Sequence, residues 1–261
     1  MKTVTQLAVA MLASSLFVNG AFADSHAAVA KSVHAASISA AMNRTGRSDA
    51  DRERDRRSKP QDVLGLLNLG PGHTVIDVFA AGGYYSQLMA YLVGPDGKVL
   101  LHNNKAYKAY AGKSLSERFK DNKLQQIEIY DREVGDLGLA SESIDAAIMI
   151  MSYHDLYYVD EKEGWPAIDS KKFLAQLHTA LKPGGKLLIV DHAAKAASGN
   201  SAAQDLHRIE EGFAKQDIES NGFTLIGSSK ALRNAADDRS TLVFDEAIKG
   251  KTDRFVLLFE K

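Results

Sequence analysis

One stretch, His73 to Ser86 (HTVIDVFAAGGYYS), constrains the fold more than any other. Thr74 to Phe79 is short and rich in β-formers, so it reads as a buried strand. Ala80 to Gly83 are small, so the strand ends in a tight turn where backbone can approach a ligand closely. Gln87 to Leu92 is mostly apolar and reads as the helix that follows. A strand, a glycine turn and a helix N-terminus form nucleotide-type sites in many α/β proteins. Gly82-Gly83 lacks the dinucleotide spacing, and no Lys-Ser/Thr follows to make a phosphate-binding loop. The stretch sets a fold class and a place for a ligand without naming the ligand.

The rest of the chain extends this pattern. Lys98 to Asn103 follows a Gly94-Pro95-Asp96-Gly97 turn and reads as a second strand. Leu124 to Tyr130 reads as a third. Ser143 to Met151 is almost continuously apolar, as in a parallel strand covered on both faces. Lys182-Pro183-Gly184-Gly185 turns into a fifth strand, Lys186 to Val190. Helices are expected over Ala106 to Phe119, Phe173 to Leu181 and within Asp205 to Gly222. Phe223 to Ile226 and Arg254 to Phe259 suggest an antiparallel terminal pair, with Asn234 to Arg239 as loop. The fold class is therefore α/β, three-layered, with a mostly parallel sheet. Pro60 to Leu67 reads as an amphipathic helix with proline in its first turn. Before it, Ser48 to Pro60 is dense in mixed charge. That pattern suits a solvated helix face, or a cap over the site with one Asp and one Arg turned inward.

The first residues carry a different signal. Lys2, an apolar run from Leu7 to Val18 and Ala21-Phe22-Ala23 before Asp24 read as a secretory leader, residues 1–23. Residues 24–59 then form an extension with cap helices, and 60–261 the main domain. The protein is expected in the periplasm or outside the cell. No later stretch is long and apolar enough to span a bilayer. With no cysteine, thiolate metal sites, disulfides and cysteine nucleophiles are excluded. A formal net charge of -1 and the lack of a basic stripe argue against nucleic acid as partner.

Two motifs carry a resemblance to a known family. Pro71-Gly72-His73-Thr74-Val75-Ile76-Asp77 leads into Ala81-Gly82-Gly83-Tyr84-Tyr85-Ser86, and Leu181-Lys182-Pro183-Gly184-Gly185 precedes the fifth strand. Over about residues 45 to 261 the chain resembles the class I S-adenosylmethionine-dependent methyltransferases, of seven-stranded Rossmann-like fold. It looks most like the exported bacterial "predicted methyltransferase" group. The resemblance implies S-adenosylmethionine as cofactor. It implies that Asp77, Ala81 and Gly83 surround the methionine part, that Gly82 and Tyr85 also contact the cofactor, and that Asp131 lies near the adenine. It also implies an acidic residue at the end of the second strand, for the ribose hydroxyls. The chain has Leu101-His102-Asn103-Asn104 there, which leaves Asn103 or Asn104 for that task. The family turn has glycine where this chain has Phe79 and Ala81, both uncomfortable unless φ stays negative.

Ligands of open parallel sheets bind beyond the C-terminal strand ends. That rule collects Tyr84, Tyr85, His102, Tyr153, His154, Asp155, Tyr157, Tyr158, Asp191, His192, His207 and Arg208. His154 or His192, with Asp155 and Tyr158, suits general-base catalysis before methyl transfer. Tyr84, Tyr153, Tyr157 and His207 suit a substrate wall. Arg208, or Arg56 or Arg57 of the charged helix, suits a substrate carboxylate. His154, His192 and His207 with Asp155 or Asp191 could instead ligate a divalent metal, and packing alone accounts for one or two of these residues. Methyl transfer to a small molecule is the leading function. The alternatives are the same fold used for a histidine- or metal-assisted reaction, and a non-catalytic periplasmic binding or maturation protein. Oligomeric state is beyond the sequence.

Overall fold

The computed structural model describes residues 34–121 and 124–261. The expected leader, 1–23, and the first part of the extension lie outside the described residues. The described chain opens in helix α1 (34–42) and continues through α2 (Asp49–Ser58) and α3 (Pro60–Leu64). Then come β1 (Thr74–Val78), α4 (Tyr84–Val93), β2 (Lys98–Asn103), α5 (Lys105–Ala111), α6 (Ser114–Phe119), β3 (Ile127–Asp131) and β4 (Ile144–Ile150). After two short 3-10 turns follow α7 (Ser170–Ala180), β5 (Leu181–His192), α8 (Ala202–Leu206), α9 (Glu211–Ser220), β6 (Thr224–Ser229) and β7 (Arg254–Glu260).

The strands form one seven-stranded sheet in the order β3-β2-β1-β4-β5-β7-β6. β1 to β5 pair in parallel, and β7 inserts antiparallel between β5 and β6. This is the Rossmann-like arrangement expected of the methyltransferase fold.

Alternate residues of each central strand feed opposite layers, because strand side chains alternate faces. Ile76, Ala147, Met149, Leu187, Ile189 and Leu257 pack with Phe173, Leu177 and Ile218 of α7 and α9. Val75, Ala146, Ile148, Leu188, Val190 and Val256 pack with Ile38, Val63, Leu64 and Leu88 of α1, α3 and α4. Burial on both faces explains the apolar run over β4, where no polar face is needed.

The element boundaries differ from the sequence reading where a single residue turns the backbone. Gly112, at φ +52°, splits the expected helix over Ala106 to Phe119 into α5 and α6. His207, at φ +50°, ends α8, and Ile209 then bridges to Ala193 before α9 begins. Lys182 to Gly185 is a bulge inside β5 rather than a turn before it: the register with β4 jumps from Ile144↔Leu181 to Ala146↔Lys186.

Candidate active site

Beyond the C-terminal ends of β1, β4 and β5 lies a cavity of about 450 Å³. It reaches from the turn after β1 to a group of histidines, and the two ends are built differently.

At the turn end, Phe79 and Ala81 both adopt positive φ, +56° and +48°, in the left-handed region that L side chains enter at a cost. Two devices hold them. The Asn103 side chain accepts from the Ala81 N–H at 2.8 Å and donates to the Ala81 carbonyl at 3.1 Å. Phe79 stacks on Tyr107, with ring centroids 4.5 Å apart, and lies parallel to Phe173 at 5.8 Å. Gly82 and Gly83 answer to their neighbours: a Cβ would stand 2.6 Å from Ser114 Oγ at Gly82 and 2.8 Å from Leu101 Cδ1 at Gly83. Asp77 lines the cavity and accepts from Ser86 Oγ at 2.6 Å. Burial pushes its pKa up to about 7, against the opposing hydrogen bonds from Ser86. Facing it from the cap is Arg54 of α2, whose guanidinium lies 4.1 Å from the Tyr84 ring centre.

The cap is fixed by ion pairs on the inward face of α2. Asp55 takes both Nη atoms of Arg47 and the Tyr84 hydroxyl, and Asp51 takes Arg118 of α6. Arg56 stays on the solvent side with Glu53. The inward-facing alternative therefore describes this helix, with Arg54 in the cavity rather than Arg56 or Arg57.

The histidine end gathers His154 and Asp155 from the 3-10 turn His154–Tyr157 and His207 from the end of α8. Asp191, fully buried on β5, organises the group. Its carboxylate accepts from the His154 and His192 backbone N–H groups at 2.7 Å each and from His154 Nδ1 at 2.8 Å. Asp155 Oδ2 accepts from the Tyr107 hydroxyl. Burial lowers the pKa of His154, but Asp155 and Asp191 outweigh it and raise it to about 9. His192 goes the other way: burial first, then the charge of His154, put it well below its ordinary value. Its Nδ1 contacts Thr252 Oγ1 at 2.7 Å.

A family model described as a methyltransferase domain matches residues 69–222, more than half of the chain. The chain belongs to this methyltransferase family. Solved structures agree on the fold. A SAM-dependent methyltransferase from Aquifex aeolicus superposes with TM-score 0.55 at 19% identity, covering 79% of this chain and 97% of that one. The [4+2]-cyclase SpnF superposes with TM-score 0.52 at 14% identity over 84% of each chain. The CurJ carbon methyltransferase gives 0.50 at 13%, covering 78% of this chain and 53% of that one. At these identities the likeness shows the fold alone. No curated protein matches the sequence.

S-adenosylmethionine is the cofactor that membership supports, and the donor set of the methyltransferase fits it. The amino-acid tail of the cofactor is a zwitterion, and the turn end of the cavity offers the Asp77 carboxylate and the Arg54 guanidinium. Its adenine is flat and apolar-faced, and Tyr107, Tyr110 and Trp165 wall the same cavity.

The methyltransferase brings Asp77, Ala81, Gly82, Tyr84, Tyr85, His154, Asp155, Tyr158, His192 and His207 to this one cavity. It does not bring the others there. Asn103 is fully buried and clasps Ala81, so it is a brace for the turn rather than a ribose ligand. Asp131 sits at the outer strand β3, paired with Lys108 at 2.5 Å. Gly83 is buried under Leu101 and Phe119. The Tyr153 and Tyr157 hydroxyls both turn to Asp217 of α9, on the core side. The Arg208 guanidinium is fully buried against Asp237 at 2.8 and 3.1 Å, with no reach to a substrate carboxylate.

Sequence reading missed Arg54, Phe79, Tyr107, Trp165, Val243 and Phe244 as cavity walls. For Arg54 a signal existed: Asp51, Arg54, Asp55 and Ser58 fall at i, i+3, i+4 and i+7, one helix face. Val243 and Phe244 arrive from the long β6–β7 connection and had none.

Proposed function

We propose that this methyltransferase methylates a small molecule held in the histidine half of the cavity. The observation that carries the reading is continuity: one cavity joins the β1 turn to the wall of Tyr158, Trp165, His192, His207 and Phe244. Bound S-adenosylmethionine supplies an electrophilic methyl group on a sulfonium. The chain supplies the rest. Asp77 and Arg54 hold the amino-acid tail, and the aromatic wall excludes water from the reacting atoms. His192, which lines the cavity and whose pKa burial pushes below its ordinary value, takes the proton released by a hydroxyl, amine or acidic carbon of the substrate. Net charge supports a small substrate rather than nucleic acid. Among the described residues no helix is long and apolar enough to cross a membrane. The leader signal in the sequence supports export, to be checked by fractionating cells for the processed chain.

The test is calorimetric titration of purified protein with S-adenosylmethionine and its demethylated product. Micromolar binding of either is expected, weakened at least tenfold by Arg54→Ala. Absence of binding at millimolar concentration would end the reading.

A further inference from the structure

His154, Asp155 and His207 present three ligand atoms to one point. His154 Nε2 lies 3.3 Å from Asp155 Oδ1 and 3.3 Å from His207 Nδ1, and His207 Nδ1 lies 3.6 Å from Asp155 Oδ1. All three separations exceed the range of a good hydrogen bond, about 2.7–3.2 Å. Two of them match a different length, and the third is slightly longer still. Ligands held about 2.0–2.1 Å from a tetrahedral zinc stand about 3.3–3.4 Å from one another. An octahedral ion with similar bonds would bring neighbouring ligands to about 3.0 Å, so the triangle favours the tetrahedron.

The remaining atoms of each ligand are oriented as a metal site requires. The other ring nitrogen of His154, Nδ1, is held by the Asp191 carboxylate, which leaves Nε2 to face the cluster. The second oxygen of Asp155 is held by the Tyr107 hydroxyl. The His207 ring is clamped between Tyr158 and Phe244, with centroids at 4.6 and 4.9 Å. Its backbone is in the left-handed region, φ +50°, and the next residue, Arg208, is anchored by the buried pair with Asp237. All three ligands line the cavity. A three-ligand site with its fourth position open to a pocket is the pattern of a catalytic rather than a structural zinc.

We propose that His154 Nε2, Asp155 Oδ1 and His207 Nδ1 bind one divalent transition metal, with Zn²⁺ the best geometric match. The fourth position takes water or an anionic oxygen of the bound small molecule. His192 is not a ligand: its ring nitrogens stand outside the triangle, and its Nδ1 is engaged by Thr252. The metal site stands on the cluster alone. Only the identity of the molecule at the fourth position rests on the methyltransferase reading.

The test is zinc titration of chelator-treated full-length protein, with metal content measured on the product, followed by cobalt substitution. One zinc per chain at micromolar or tighter affinity is expected, and an intense visible cobalt band of tetrahedral type. His207→Ala should weaken binding at least 100-fold, and so should Asp155→Asn. His192→Gln should leave it unchanged. His154 and Asp155 are both buried and His207 is half-buried, so His207→Ala carries the test with the isosteric Asp155→Asn beside it, each variant being checked for native circular dichroism. Loss of stoichiometric binding in wild type, binding unaffected by both ligand variants, or a weak octahedral cobalt spectrum would overturn the proposal. Titrating the zinc-free protein with the demethylated cofactor separates the two readings. Adenosyl binding without zinc uptake removes the metal site alone, and zinc uptake without adenosyl binding removes methyl transfer alone.

Discussion

The two ends of the cavity use polar side chains in opposite ways. At the turn end they are tied to the turn and the helix that follows: Asn103 clasps the Ala81 backbone, and Asp77 accepts from the Ser86 hydroxyl. At the histidine end the braces stand behind the ring, and His154, Asp155 and His207 leave ligand atoms facing one another. The first end is a shape made from consecutive residues. The second is a charge arrangement made from segments far apart in the chain. A shape tolerates neutral ligands and loses function when the backbone relaxes. A cluster of lone pairs asks for a proton or a cation.

The largest effect expected of breaking this contrast is at Arg208. Arg208→Met leaves Asp237 with a buried, unpaired charge, at a cost of about 3–5 kcal/mol. For a chain of this size that lowers Tm by about 6–20 °C. Because His207 precedes Arg208, zinc affinity should fall with it, while binding of the demethylated cofactor at the turn end changes little. Differential scanning calorimetry and two titrations measure this. Equal losses at both ends would show that the ends are one cooperative unit.

Asn103→Leu should act on the other end. It leaves the Ala81 N–H and carbonyl without their partner, at about 1–3 kcal/mol. Cofactor affinity should drop tenfold or more with zinc uptake unchanged. Retained affinity would mean that the aromatic stack on Phe79 alone holds the turn.

The smallest effect is at Asp77, and it depends on pH. Its folded pKa, about 7, lies above its ordinary 3.8, so the folded protein holds this proton more tightly than the unfolded chain. That contribution to stability is present at low pH and is lost as pH rises from about 4 through 7. Asp77→Asn should therefore match wild type near pH 4 and exceed it by a few degrees in Tm above pH 7, while binding cofactor less well. Parallel Tm curves across that range would show that Asp77 is ionised without cost.

How far the site could be read from the sequence follows the same division. Asp77 and the small residues after it are consecutive, and a strand, a turn and a helix allow few ways to arrange them. The histidines were placed on one rim by the rule that ligands sit beyond strand ends, but the rule gives no side-chain direction. Tyr153 and Tyr157 precede and follow the cluster and still point to Asp217, because the 3-10 turn rotates them to the core side. Arg208 adjoins His207 and is buried, because the left-handed residue between α8 and α9 sends neighbouring side chains in different directions.

By itself the sequence determined the sheet and its layers: apolar runs, their alternation and the glycine turn are local signals, and burial on both faces leaves a parallel strand no polar positions to vary. It also pointed to the end of β1 as the place for a ligand. Only the tertiary structure decided that Asp155, not His192, completes the triangle with His154 and His207, and that Arg54 is the arginine in the cavity. Those outcomes depend on distances between side chains from separate elements, braced by Asp191 behind His154 and Tyr107 behind Asp155. No local pattern of residues encodes such distances, because they exist only when the layers have packed.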